Sequence, residues 1–438
     1  MCKPLLAGRE LLARPLGSMV SIDPESLPLG TNPSVEFHYF DISCAANGRL
    51  QIPDTSITYA EAPSRARRIV RNGDVLMSTV RPNLKAFAYC NMPEGSYVAS
   101  TGFAVLRAVE ENDPRYILYS ILSDDVARQI DSYVVGSNYP AINSSDVKRL
   151  QIPGWKPSRQ RRIAEILSTV DEAIEQTEAL IAKYQQIKAG LMQDLFTRGL
   201  SPEASAKGDV TWTLRPTSAQ APHLYKDSPL GWIPKEWGIV RVEDLCMDVV
   251  DCPHSTPTYM TSGVPCIRTA DMQPGVLLLD QAYRVSEAEY RERVARLVPQ
   301  EGDIIYSREG ERLGIASPVG RERVCLGQRV MLMRPTCKTN PDFLLWSMNT
   351  PGFYRRILAG LGATTSPHIN VGDIRKALLV QPSSAEQDLS GALLARCSRL
   401  VRAEQAQLAK LRQVKHGLMQ DLLTGRVRVK VGEAEEKL

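Results

Sequence analysis

The sequence predicts a mixed α/β protein in which two similar globular domains are each followed by a long helix, the two helices pairing with one another. Three observations predict it. Ser158 to Arg198 runs for about forty residues without Pro and with a continuous apolar heptad. The same helix design returns about 227 residues later, and that offset extends to the rest of the chain, matching residues 1–157 to residues 228–385.

The first long helix sets the logic. With Ile163 at position a, the a series is Ile163, Val170, Thr177, Tyr184 and Leu191, and the d series is Leu167, Ile174, Ile181, Lys188 and Leu195. All but Thr177 and Lys188 are apolar, which makes a coiled-coil seam. At 1.5 Å per residue the helix spans roughly 60 Å, too long to bury such a seam without a partner. The partner seam is Ser390, Leu394, Cys397, Val401, Glu404, Leu408, Leu411, Lys415, Leu418 and Leu422, again with Lys at the eighth place. The helix ends agree closely: Lys188-Ala-Gly-Leu-Met-Gln-Asp-Leu-Phe-Thr197 returns as Lys415-His-Gly-Leu-Met-Gln-Asp-Leu-Leu-Thr424. The lysine pair is expected to fix helix register at some cost in stability.

Within the globular parts, Gly73-Asp74 and Gly302-Asp303 each read as a turn leading into a short alternating strand. Asp113-Pro114 and Asn340-Pro341 read as an N-cap and N1 proline, each starting a helix expected to run to Ile130 and Ile357. The polar loops Gly136–Asn143 and Thr364–Asn370 follow, with Asn143 and Asn370 as caps. Ser201 to Lys226, rich in Ser, Ala, Thr and Pro and without apolar period, reads as a flexible connection. The two tryptophans of Gly231-Trp-Ile-Pro-Lys-Glu-Trp237 pin the start of the second domain. The division is therefore 1–157, first domain; 158–199, first long helix; 200–227, linker; 228–385, second domain; 386–425, second long helix; and 426–438, tail.

Hydrophobic residues make up 43% of the 438, enough for sizeable cores, and no apolar run approaches the eighteen or so residues of a membrane span. The N-terminus is too charged for a signal peptide, so a cytoplasmic protein is expected. Nine cysteines contain no Cys-x-x-Cys and read as reduced structural thiols. A net charge of +4 neither requires nor excludes nucleic acid. Locally, Arg65, Arg67, Arg68, Arg71, Arg81 and Lys85 are opposed within their own stretch by Asp74 alone, the composition of a phosphate-facing patch or of a solvated basic surface.

Enzyme signatures are missing. The sequence has no phosphate loop, no His-Glu-x-x-His and no Gly-x-Ser-x-Gly, and Gly360-Leu-Gly362 follows a helix pattern where a dinucleotide turn follows a strand. Asp113-Pro-Arg-Tyr116 and Asn340-Pro-Asp-Phe343 lie one residue from the Asn/Asp-Pro-Pro-Tyr/Phe signature of amino-methyltransferases. The second Pro and a cofactor-binding Gly motif are both missing, and helix capping accounts for both copies.

Two variable globular units, each followed by a long helix, the Gly231–Trp237 opening, Gln387 before one helix, and Lys-x-Gly-Leu-Met-Gln-Asp-Leu near both helix ends together resemble the DNA-specificity subunit of type I restriction-modification systems. Arg159-Gln160 stands where that family usually has Glu-Gln, and the first domain lacks the opening motif. The resemblance implies two target-recognition domains separated by two long antiparallel helices forming a coiled coil. It also implies an asymmetric bipartite DNA target, with helix length setting the gap. It implies no catalysis and no cofactor in this chain; S-adenosylmethionine, ATP and Mg belong to the modification and restriction subunits that are its partners, alongside double-stranded DNA.

Base readout needs forked or amide donors on loops. In the first domain the candidates are Arg81, Asn83 and Lys85, with Ser137, Asn138 and Tyr139 of the polar loop. In the second they are Arg308, Arg312, Thr364, Thr365, Ser366 and His368, by repeat position. Gly73, Asp74, Gly302 and Asp303 read as turn formers. The competing class is a coiled-coil scaffold with protein-binding globular ends.

Overall fold

A computed structural model describes residues 12–134, 140–204, 210–310, 312–359 and 368–430. The chain divides into two compact units, Met1–Glu178 with Ala406–Leu438, and Ala179–Gln405. The long helices therefore belong to both units.

In the first unit, Val75–Ser78 is central to an antiparallel sheet with Phe103–Ala108 and Phe87–Tyr89 beside it and Val20–Ile22 at the edge. The strand alternation splits its side chains between two cores. Val75 and Met77 face a core with Ala104, Leu106 and the helix α1, Pro114–Leu122, whereas Leu76 joins Phe103 and Val105 in a core shared with Phe40, Val70 and Tyr97. That second core is closed by a mixed sheet in which Glu36–Phe40 and Tyr97–Ser100 run parallel.

The second unit repeats the plan. Cys246–Asp251, Val330–Pro335, Ile304–Ser307 and Ala316–Pro318 form the antiparallel sheet, and a mixed sheet again contains one parallel pair, Val264–Ile267 with Cys325–Leu326.

The helix expected to run to Ile130 is broken. After α1 the chain turns at Ser123, whose hydroxyl caps Val126, and continues as α2, Asp124–Tyr133. A short helix α3, Ser144–Arg149, follows and starts from a capping box between Asn143 and Asp146. The first long helix, α4, spans Pro157–Thr197. In the second unit come α5, Val242–Leu245, and α6, Glu287–Arg293. The helix expected to reach Ile357 is split into α7, Pro341–Met348, and α8, Pro351–Ala359. A second proline at a helix N1 position forces this break. The short α9, Val371–Lys376, starts at Asn370 without a backbone-capping bond from that side chain. The second long helix, α10, covers Ser384–Thr424.

The stretch 201–226 read as a flexible connection is more ordered than its composition suggests. Leu200–Ala204 pairs with Val210–Leu214, and the next residue, Arg215, is buried against Glu386. The alternation in Val210-Thr-Trp-Thr-Leu214, diluted by surrounding Ser and Pro, is the signal for that strand.

The seam follows the heptad. Ile163, Leu167, Ile174, Ile181 and Leu195 of α4 and Leu394 and Leu422 of α10 are buried. Within the first unit, Asp171 meets Lys415 and Glu178 meets Arg412, so the segments run antiparallel. No described helix is long and apolar enough to cross a membrane.

Candidate nucleic-acid interface

Each globular part is fastened to the start of its long helix by the same side chain. Gln160 Oε1 accepts from Asp113 N at 2.9 Å and its amide donates to Asn112 and to the Trp155 carbonyl; Gln387 Oε1 accepts from Asn340 N at 3.4 Å and its amide donates to the Pro382 carbonyl. Arg159 stacks on Trp155, 5.1 Å from the ring centre. Glu386, at the matching place, accepts from Arg215 at 2.6 Å, Trp237 Nε1 at 3.0 Å and Leu200 N at 2.6 Å.

The Gly-Asp turns serve the scaffold, as the sequence suggested. Asp74, buried, accepts from Arg71 N and takes a bidentate pair of bonds from Arg107, both 2.8 Å; Asp303 accepts from Gln300 N and takes the same pair from Arg334 at 2.9 and 2.8 Å. Asp74 holds the Arg107 guanidinium still more firmly protonated than usual, and Arg107 in turn lowers the Glu25 carboxyl.

The basic stretch Arg65–Lys85 is largely answered from elsewhere in the chain. Arg68 lies 3.0 Å from Asp23, Arg71 lies 2.7 Å from Glu25, and Arg67 stacks on Tyr59. A local count of charge missed these because Asp23 and Glu25 are far away in sequence.

Arg81, Asn83 and Lys85 share one tight turn around Pro82–Leu84, with Arg81 and Lys85 at φ 48° and 49°, a left-handed conformation uncommon for residues with a Cβ. Arg81 N donates to Pro140 O at 2.7 Å, so the turn abuts the polar loop. Asn83 and Leu84 are exposed, while Lys85 Nζ donates to the carbonyl of Leu122 at the end of α1. Ser137, Asn138 and Tyr139 lie outside the described residues, as do Thr364, Thr365, Ser366 and the Gly360–Gly362 pair.

In the second unit Arg308 and His368 come together. The buried Arg308 has Nε 3.0 Å from Asp251 Oδ1, an ion pair without aligned hydrogen-bond geometry, and Nη1 3.2 Å from Glu309 and 3.3 Å from His368 Nε2. His368 Nδ1 is 2.9 Å from Glu309. Arg312, exposed, reaches another element, donating to the carbonyls of Ala270 (3.0 Å) and Met272 (3.2 Å).

Those two carbonyls belong to a feature that sequence reading did not single out. Arg268 precedes the turn Thr269–Asp271, and Asp271 accepts from Arg268 N, Nε and Nη2, each at 2.9 Å. The guanidinium lies 3.6 Å from the ring centre of Tyr283, and Tyr259 meets Tyr283 edge-on at 4.8 Å. Tyr259, Met260 and Tyr283 are exposed at 38, 51 and 50%. The signal lay in the offset: Arg268 occupies the place of Asp41, which precedes the turn Ile42–Cys44.

The seam lysines differ in their surroundings. Lys415 is 2.6 Å from Asp171 and 5.5 Å from the Tyr119 ring centre; Lys188 lies 3.8 Å from the ring centre of Trp346, and burial lowers its pKa to about 8. Among the described residues no cluster of His, Cys, Asp or Glu is set to hold a metal ion.

Residues 33–186 match the family described as type I restriction modification DNA specificity domain. The chain is 23% identical over 325 residues to the type I restriction enzyme MjaVIII specificity subunit of Methanocaldococcus jannaschii, covering 73% of this chain and 71% of that one. It is 19% identical over 381 residues to the MjaIX specificity subunit of the same organism, covering 86 and 82%. In fold it resembles the solved type I restriction-modification S subunit from M. genitalium, with a TM-score of 0.58 at 13% identity, covering 98% of this chain and 99% of that one. A chain from a structure of type I restriction-modification complex assembly and conformational transition gives 0.51 at 24% identity, covering 95 and 98%.

Proposed function

We infer, from the premise that the chain belongs to the type I restriction-modification DNA-specificity family, that its two globular parts each read one half of an asymmetric bipartite DNA target. It is a non-catalytic subunit, and chemistry at the DNA is carried out by the subunits it assembles with. The observation that carries this reading is the duplication with divergence. Two units share their sheets, their Asp–Arg turn locks and their glutamine clamps, yet the loops above those locks differ in chemistry. One scaffold presenting two different surfaces suits two different half-sites.

The paired helices would set the gap and offer the docking face for modification subunits, with restriction subunits joining them. S-adenosylmethionine, ATP and Mg are then cofactors of those partners, and the complex works in the cytoplasm. Arg81, Asn83 and Lys85 in one unit, and Arg312 and His368 in the other, remain the candidate DNA contacts of the described loops. Arg308 is better placed to hold its loop than to leave it, since its charge is engaged by Asp251 and Glu309.

The test is a methylome of the source cell with and without this gene. Loss of one bipartite adenine motif on deletion is the expected result. An unchanged methylome, together with capture of proteins other than a methyltransferase subunit, would favour the coiled-coil scaffold.

A further inference from the structure

The two units can be compared position by position. Where both copies keep the same residue in the same contact, as at Gln160 and Gln387 or at Asp74 and Asp303, the position serves the scaffold. A position that reads sequence should do the opposite: sit at the same place in the fold, be held rigidly, reach solvent, and differ between copies.

The residue before the short turn of each mixed sheet meets all four conditions. In the first unit it is Asp41, exposed, accepting from Ser43 N at 2.8 Å and from Ser43 Oγ at 2.5 Å, and the turn leads into the hairpin Ala45–Ala46 with Arg49–Leu50. In the second it is Arg268, and the turn leads into the hairpin Met272–Gln273 with Val276–Leu277. Gly48 and Gly275 close the two hairpins at positive φ, 96° and 77°, so the two turns follow a similar path while the residue that precedes each changes the sign of its charge.

We propose that Arg268 is a specificity-determining residue of the second globular unit, reading a guanine in the major groove of duplex DNA. This deepens the reading of the chain as a DNA-specificity subunit and rests on it. Asp271 takes Nε and one Nη2 hydrogen, and Tyr283 covers one face of the guanidinium. Both Nη1 hydrogens and the second Nη2 hydrogen remain after the Asp271 bonds, forming a fork matched to guanine N7 and O6. The side chain is 27% exposed and already ordered, so reading a base sacrifices little rotamer freedom. The exposed hydroxyl-bearing rings of Tyr259 and Tyr283 flank it and suit backbone phosphate. Arg312, an independent candidate from repeat position, reaches the same turn through Ala270 O and Met272 O, which makes the surface continuous.

The experiment uses the full chain with its modification subunits in the source cell, comparing methylomes for the wild type, Arg268→Ala and Arg268→Lys. The expected result is that both variants relax one G·C position in one half-site, with discrimination there falling roughly 10- to 100-fold, while the other half-site and the gap stay unchanged. Lys keeps the charge and loses the fork, so rescue by Arg268→Lys overturns the proposal in favour of a phosphate contact. An unchanged motif, or a uniform weakening of all sites, overturns it too. Should both variants lose all methylation, binding of the wild-type complex to target duplexes carrying 7-deazaguanine at each guanine in turn decides. A 10- to 100-fold loss at one position supports the assignment, and no loss at any guanine overturns it. A wild type that modifies no bipartite motif instead refutes the specificity-subunit reading itself, and the assignment of Arg268 falls with it.

Discussion

Replacing each seam lysine by methionine should change stability in opposite directions, although Lys188 and Lys415 occupy equivalent places in the two repeats. Lys188 projects onto Trp346 of α7, with Cys397 and Arg402 as its titratable neighbours; among the described residues no carboxylate lies within ion-pair distance. The place that Asp171 takes beside Lys415 is filled by Ser398, whose buried hydroxyl has no hydrogen-bond partner among the described residues. Burial lowers Lys188 from 10.5 to about 8, which at 1.36 kcal/mol per unit bounds the penalty near 3.4 kcal/mol. Partial exposure screens it, leaving about 1–2 kcal/mol for methionine to recover. Lys415→Met instead takes the ammonium away from Asp171, leaving it the Tyr119 hydroxyl at 2.8 Å and the more distant charge of Arg49, and costs about 1–2 kcal/mol. Between about pH 8 and 10.5 the unfolded chain still holds the Lys188 proton that the folded chain has released, so stability from this group rises with pH across that window. Lys188→Met removes the rise. Hydrogen exchange of α7 and of α1 reads the two units separately. Equal shifts of the same sign in both variants, or a pH profile of α7 exchange that Lys188→Met leaves unchanged, would refute the reasoning.

Glu386→Ala leaves the buried Arg215 with the Arg198 carbonyl at 3.1 Å and, as its carboxylate among the described residues, the exposed Glu236 at 2.8 Å, and strips Trp237 Nε1 of its acceptor; the second unit should lose about 3–5 kcal/mol, read by urea unfolding monitored at tryptophan. Gly199→Ala should be similarly damaging, since φ is 65° and a Cβ would stand 2.1 Å from Glu386 Oε1, whereas Gly190→Ala and Gly417→Ala, in open space on the long helices, should each stabilise by about 1 kcal/mol in thermal unfolding. Asp303→Asn removes the carboxylate that Arg334 binds twice and should cost about 2–4 kcal/mol, with Asp74→Asn matching it in the first unit through Arg107; unequal effects would show that the two locks are not equivalent.

What could be read from the sequence was what physical period and repetition record. The heptad placed the seam because burial of every d position between Ile163 and Ile181 leaves a 3.5-residue trace. The offset paired the Gly-Asp turns because both copies must make the same reversal. What escaped was decided by contacts distant in sequence. Asp23 and Glu25 neutralise Arg68 and Arg71 from another strand, so a local count of charge overstated the basic patch. Glu386 orders Arg215 across most of the second unit, so a stretch composed like a linker carries a hairpin. Arg308 looked like a forked donor on a loop, and Asp251, fifty-odd residues earlier, draws it inward. Arg268 escaped for a different reason: neither its type nor its neighbours distinguish it, and only its mismatch with Asp41 at the same offset does. In a duplicated chain, agreement between copies locates the frame. Disagreement at a rigid, exposed position within that frame is where specificity has room to differ.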